Sequence, residues 1–263
     1  MLVTVIIFLR EAIEAALLFS VLLALCQRFD VERRWLFPTI STGVAGACIG
    51  ALLMERITNS FDGTGQEIMN ATFLFFMATC AIIICLWLSN FLRRDKPELN
   101  DRLSTHISWV FILILCLAIM HEGLELSIYC YSYMLGHDNN LAFFIGGILG
   151  LGIGISFGAI VYYILVNLSS STLMKIAIFL LVLVAAGMSS QASLYLIQSG
   201  WLPFTKTLWD SSNIISEQSL LGQLLYAMIG YEATPDGLQV VFYFSTIAIS
   251  LLSIFLYARR HRI

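Results

Sequence analysis

This sequence predicts an all-α integral membrane protein with seven transmembrane helices. Of its 263 residues, 59% are hydrophobic and only 12% are charged, about half the charge an ordinary soluble domain spends on its polar skin. Mean hydropathy is +0.87. Seven apolar runs are each long enough to cross a bilayer at about 1.5 Å of rise per residue. Such a composition excludes a soluble enzyme, a disordered adaptor and a secreted disulfide scaffold. With a net charge of −3 and no basic aromatic surface, no nucleic-acid partner is expected.

The seven runs are Leu2–Cys26, Leu36–Met54, Ile68–Leu92, Ile107–Leu135, Leu141–Leu168, Leu173–Ile197 and Leu238–Tyr257. The first is not a cleavable leader, because it lacks a basic start and holds Arg10, Glu11 and Glu14 inside its apolar stretch. Cys26, Cys48, Cys80, Cys85, Cys116 and Cys130 all lie in or beside these runs without a C-x-x-C pair. They read as buried thiols rather than a metal knuckle or redox pair.

Basic residues set the orientation. Eleven Lys and Arg follow spans 1, 3, 5 and 7, among them Arg28, Arg33, Arg34, Arg93, Arg94, Lys96, Arg102, Lys175 and Arg259. Only Arg56 and Lys206 fall on the other side. The rich side is expected to be cytoplasmic, with the N-terminus outside and the C-terminus inside. Eight acidic residues, including Glu55, Asp62, Glu67, Asp138, Glu217 and Glu232, collect on the outer side. An anionic face there concentrates cations near an entrance.

Residues 198–237 are too long for a mere connection. Leu220, Leu221, Leu224, Leu225 and Met228 recur at helical spacing before Gly230 and Pro235, which predicts a short interfacial or re-entrant helix. Gly146, Gly150, Gly154 and Gly158 leave one face of span 5 without side chains, and Gly46 and Gly50 do the same in span 2. Both stripes predict close helix packing. Ser189, Ser190 and Gln191 interrupt span 6 and suit interhelical hydrogen bonds or the lining of a path.

The chemistry lies in spans 1 and 4. Span 1 carries Arg10-Glu11-Ala12-Ile13-Glu14 and span 4 carries His121-Glu122-Gly123-Leu124-Glu125. A charge at a helix centre costs about 2.5–3.5 kcal/mol on insertion, so five of them cost roughly 12–18 kcal/mol unless compensated. Within each motif the two glutamates are three residues apart and share a helix face. Arg10 is placed to pair with Glu14, and His121 to reach Glu125. Bringing the helices together gathers four carboxylates, which suit a hard cation. With all four ionised, Arg10 charged and His121 neutral, the locus carries three negative charges, the complement of a ferric ion. Interhelical salt-bridge glue is the competing structural reading.

Glu11 and Glu122 stand in spans that run in opposite directions. Spans 1–3 (residues 1–92) and 4–6 (residues 107–197) therefore read as an inverted repeat, followed by the 198–237 outer loop and a seventh helix at 238–258. Such repeats put a substrate site at their interface near the midplane, which marks a transporter rather than an enzyme.

Seven spans with R-E-x-x-E motifs in the first and fourth resemble the oxidase-dependent iron permease family over essentially the whole chain. The stretch Ser219-Leu220-Leu221-Gly222-Gln223-Leu224-Leu225, followed by Gly230-Tyr231 and Pro235, is similar to bacterial members. The resemblance implies a single permease domain over 1–263 that carries ferric iron inward across the plasma membrane. The short basic C-terminal tail points to a bacterial inner membrane. The resemblance also implies an extracytoplasmic partner that oxidises or delivers iron, and iron as cargo with no resident cofactor. By motif position it assigns Glu11, Glu14, Glu122 and Glu125 as iron ligands or relay groups, supported by Arg10. His121 stands where the family has its second arginine. Bacterial members carry an acidic cluster before span 3, of which Glu67 remains as an outer relay, with Asn70 where another glutamate would stand.

Two other functions fit parts of the pattern. A proton-coupled carrier for manganese or lead would use the same carboxylates. An intramembrane metalloenzyme would explain His121-Glu122, but the H-E-x-x-H pattern lacks its second histidine. His106 and His137, near opposite faces, read as solvated residues before they read as ligands.

Overall fold

A computed structural model describes residues 2–29, 34–92, 101–136 and 140–260. Expectations about Arg33, Arg93, Arg94, Lys96, His137 and Asp138 lie outside the described residues, as do the side chains of Arg102 and His106. Eight α-helices are described: α1 Leu2–Arg28, α2 Leu36–Thr58, α3 Gly65–Phe91, α4 Asp101–Gly136, α5 Asn140–Val166, α6 Ser170–Gln198, α7 Leu220–Ile229 and α8 Gly237–Arg260. Among the described residues there is no strand; a single antiparallel bridge joins Thr207 to Asp236.

Six helices, α2 to α6 and α8, are long and apolar enough to cross a membrane. The seventh expected span, α1, has 27 residues and so a length of about 40 Å. Arg10, Glu11 and Glu14 interrupt its apolar surface. Helix α7, with 10 residues, is too short to cross.

The glycine stripes determine which helices pair. A Cβ on Gly150 would meet Val5 O, on Gly154 Ala12, and on Gly158 Ala16, so α5 lies parallel to α1 with its backbone against it. Gly147, one position off the stripe, faces the Phe8 ring. The Ser20 hydroxyl donates to Gly158 O at 2.7 Å and ties the two helices together. In the same way Gly43, Gly46 and Gly50 of α2 face Ile119, Met120 and Leu124 of α4, while Gly123 faces Ala47. Each glycine-rich helix thus packs in parallel on the charged helix of the other three-helix segment. Helices α3 and α6 run antiparallel, with the Cys85 thiol directed at Ile178 O. All six cysteines are free thiols, with Cys26, Cys80 and Cys85 buried.

Most of the apolar core fills one end of the bundle. Leu17, Leu22 and Leu25 of α1 meet Met77, Ile84 and Leu88 of α3, Phe111, Ile114 and Leu115 of α4, and Leu181 of α6 there. At that end the Arg28 guanidinium donates to the Ser170 hydroxyl. The opposite end carries the α2–α3 turn and the α6–α8 segment, joined by an edge contact between Phe61 and Trp201. Ser219 caps α7 by accepting from Gly222 N at 3.0 Å. Gly230 ends it in the left-handed region, at φ 66°.

Helix α7 packs into the bundle against α1 and α6. Ala227 packs on Leu9 and Ile13 of α1. Gly230 abuts Gly187, where a Cβ added to Gly230 would come within 2.4 Å of Gly187 Cα. Gly187 lies three turns inside the end of α6, about 16 Å along its axis.

Candidate metal centre in the membrane interior

Helices α1 and α4 cross where their charged motifs face each other, between the apolar core and α7. One ligand-capable atom each from Glu11, Glu122 and Glu125 falls within 4.8 Å of the others. Glu11 is 5% exposed and Glu122 is 6% exposed, so bulk water does not screen them. Charged carboxylates gathered this closely repel one another, and a proton or a cation among them relieves that repulsion.

Glu14 stands apart from this trio. The Arg10 Nε lies 3.2 Å from its Oε1 and 4.0 Å from Glu11 Oε1, so the i, i+4 pair forms as the spacing predicts. The Arg10 guanidinium also stacks on the Tyr226 ring of α7, 4.2 Å from its centroid. Glu14 faces a cavity shared with Tyr226 and Gln191. The sequence-based expectation of four gathered carboxylates resolves into three together and one beside them.

The second motif is built differently. His121 is 1% exposed, with Nδ1 3.6 Å from Glu122 Oε1 and Nε2 3.5 Å from Glu125 Oε1. The Phe73 ring meets it edge-on at 6.4 Å. Glu125 Oε1 also accepts from the Tyr195 hydroxyl at 2.5 Å and from Asn70 Nδ2 at 3.5 Å. One oxygen of Glu125 is therefore fixed by three neighbours on three helices. Such outer contacts orient a ligand and tune its basicity.

Glu67 lies one turn before Asn70 on the same face of α3, and its Oε2 is buried without a hydrogen-bond partner. Tyr195, Tyr226 and Glu232 join the site without having been singled out in the sequence as its components. Asn70 carried a signal as the residue where another acidic group would stand, and Glu232 only as one of the outer acidic residues.

The class this defines is a multi-pass helical membrane protein with a carboxylate cluster in its interior. The family is more specific: the chain belongs to the Iron permease FTR1 family, which matches residues 1–261. It is 26% identical over 259 residues to the Ferrous iron permease EfeU of Escherichia coli O6:K15:H31 (strain 536 / UPEC), covering 93% of this chain and 91% of that one. It is also 26% identical over 267 residues to the protein of the same name from Yersinia pestis, covering 97% and 94%. No solved structure matches the chain. The family and these relatives are described as permeases, not as enzymes.

Proposed function

We propose that the chain carries iron inward across the plasma membrane, the bacterial inner membrane in particular, and that the ion binds among Glu11, Glu122 and Glu125 with Glu14 beside them. The observation that carries this reading is the approach of three carboxylates from two helices to within 4.8 Å. Like charges this close repel strongly in a dry interior, and a cation bound among them removes that cost. Arg10 holds Glu14, and His121 holds Glu125 opposite. Glu67, a turn away from Asn70, serves as a relay ahead of them. Iron is cargo here, and no resident cofactor is required.

Three negative charges at the locus, with His121 neutral, favour ferric iron, delivered by an extracytoplasmic oxidase or iron-delivery protein. Ferrous iron is the second reading. It is favoured by the name the two relatives bear and by an imidazole beside the carboxylates, a donor that suits that ion.

The transport geometry follows from two halves, 1–92 and 107–197, related by an inverted repeat, with α8 added as a seventh span. Exchanging α1 with α4, α2 with α5 and α3 with α6 turns the α1–α5 pairing into the α4–α2 pairing and returns α3–α6 to itself, which supports this reading. The N-terminus is outside and the α7 end faces outward.

Radio-iron uptake by an uptake-deficient host tests the proposal, with ferrous and ferric supply compared and manganese and lead as competitors. Glu→Gln at positions 11, 14, 122 and 125 keeps size but removes the anionic oxygen. Each is expected to abolish uptake with normal amounts of protein in the membrane. Two or more variants at wild-type rates overturn the site. Failure of the variants to accumulate favours salt-bridge glue instead.

A further inference from the structure

Two cavities meet at the α7 end of the bundle. The inner one, of about 30 Å³, touches Glu14, Gln191 and Tyr226. The wider one, of about 210 Å³, extends past Trp209, Pro235 and Tyr243. Ser190, Gly230 and Glu232 wall both, so the two cavities adjoin along these residues and outline a passage toward Glu14. In the wall of the inner cavity, Gly187 and Gly230 meet backbone to backbone, with no room for a Cβ on either. On the far side of the glutamates lies the packed core of Leu17, Leu115 and Leu181.

Glu232 stands at the junction of the two cavities. Its Oε2 accepts from Gln239 Nε2 at 2.5 Å, which fixes the carboxylate in place. Gln239 is itself held by Asp236 N, which donates to Gln239 Oε1 at 2.7 Å. Burial, together with the charges of Glu217 and Asp236, pushes the Glu232 carboxyl above its usual range, against the Gln239 hydrogen bond and the charge of Arg10. An anionic group is thus held in a half-buried place where its own charge is costly. A passing cation would relieve that cost.

We propose that this passage is the route by which the cation reaches the buried glutamates, with Glu232 as a carboxylate waypoint ahead of Glu14. This rests on the reading of Glu11, Glu122 and Glu125 as the ion site. The inner cavity holds a few waters at most, so an iron ion in it sheds much of its hydration shell. Carboxylate, hydroxyl and amide oxygens of Glu232, Ser190, Gln191 and Glu14 replace that shell in succession.

Two measurements on the full-length chain test the route. In Glu232→Gln, where the amide oxygen still accepts from Gln239, half-maximal uptake should require several-fold more iron while the maximal rate is kept. Glu232→Asp, which retains the charge, should restore most of the affinity. A cysteine at Ser190, in a chain freed of its six native cysteines, should react with a membrane-impermeant thiol reagent added from the α7 side, and iron should slow that reaction. Unchanged iron dependence in Glu232→Gln, or an unreactive cysteine at 190, overturns the route. If Glu11→Gln still loses iron uptake in that case, the ion site stands and only the route falls. Wild-type uptake by Glu11→Gln removes the destination and the proposal with it.

Discussion

Tyr195 donates its hydroxyl to Glu125 Oε1 at 2.5 Å, so α6 holds a carboxylate of α4 although Lys175 is its only charged residue. The contact engages only one of the two oxygens of Glu125. Asn70 approaches the same Oε1 from α3. Three helices therefore fix the direction in which this one carboxylate points.

Tyr195→Phe removes that donor and keeps the ring. Loss of an outer contact to a metal ligand costs about 10–100-fold in metal affinity. Iron uptake at limiting iron should fall by that order, while protein abundance stays normal. Uptake curves for Tyr195→Phe and Asn70→Ala, measured singly and together, check this. Because both contacts restrain one oxygen, the double variant should show less than the product of the two single losses.

Gly154 and Gly152 share α5 but not a face. A Cβ at 154 would sit 2.4 Å from Ala12 Cβ, whereas one at 152 meets nothing within 4 Å. Gly154→Ala should push α5 off α1 beside Glu11 and cost about 1–3 kcal/mol through overpacking. Gly152→Ala should be neutral. Thermal unfolding in detergent and iron uptake should both separate the two variants, and equal behaviour would contradict the close α1–α5 packing.

Orientation has its own test. Asp62 lies in the α2–α3 turn and Asp210 in the α6–α7 segment, at the α7 end. Asn167 and Ser171 flank the α5–α6 link at the other end. Single cysteines at 62 and 210 should label from outside intact cells, and those at 167 and 171 should not. Labelling of 167 in sealed cells would invert the topology and place the α7 passage on the cytoplasmic side.

Helix existence is readable here because each run is apolar for about 20 residues, and the two E-x-x-E motifs are the only multiple charges inside such runs. The short helix α7 is equally legible, from leucines at helical spacing closed by Gly230. Pairing is less so. The stripes of Gly150, Gly154 and Gly158 and of Gly46 and Gly50 announce close approach, but spacing alone does not name the partner helix. The separation of Glu14 from the other glutamates is also hidden. Its i, i+3 relation to Glu11 predicts a shared face, while the Tyr226 ring of α7 that stacks on its partner Arg10 has no sequence signal. Tyr195 and Tyr226 look like ordinary aromatics in apolar surroundings, because a hydroxyl gains meaning only from the carboxylate or guanidinium it meets.

His121 is where the sequence departs from the motif of span 1, and its surroundings make the departure testable. The ring is buried, with Phe73 edge-on and a carboxylate near each nitrogen. His121→Arg restores the family residue but adds a fixed positive charge, which takes the locus from three negative charges to two when the four glutamates are ionised and the imidazole is neutral. It also forces a longer side chain into a filled space. Both effects work against a bound cation, so uptake should fall sharply across about pH 5–8, the range over which an imidazole titrates. His121→Gln separates the causes, since it stays neutral, fits the space and keeps a polar end beside Glu125. If the imidazole binds the ion or relays its proton, Gln should fail as Arg does, because an amide has no comparable nitrogen donor to a metal. If the imidazole only holds Glu125 in place, Gln should keep most of the uptake. Uptake by His121→Arg at or above wild type throughout that range would show that the imidazole is only a stand-in for arginine.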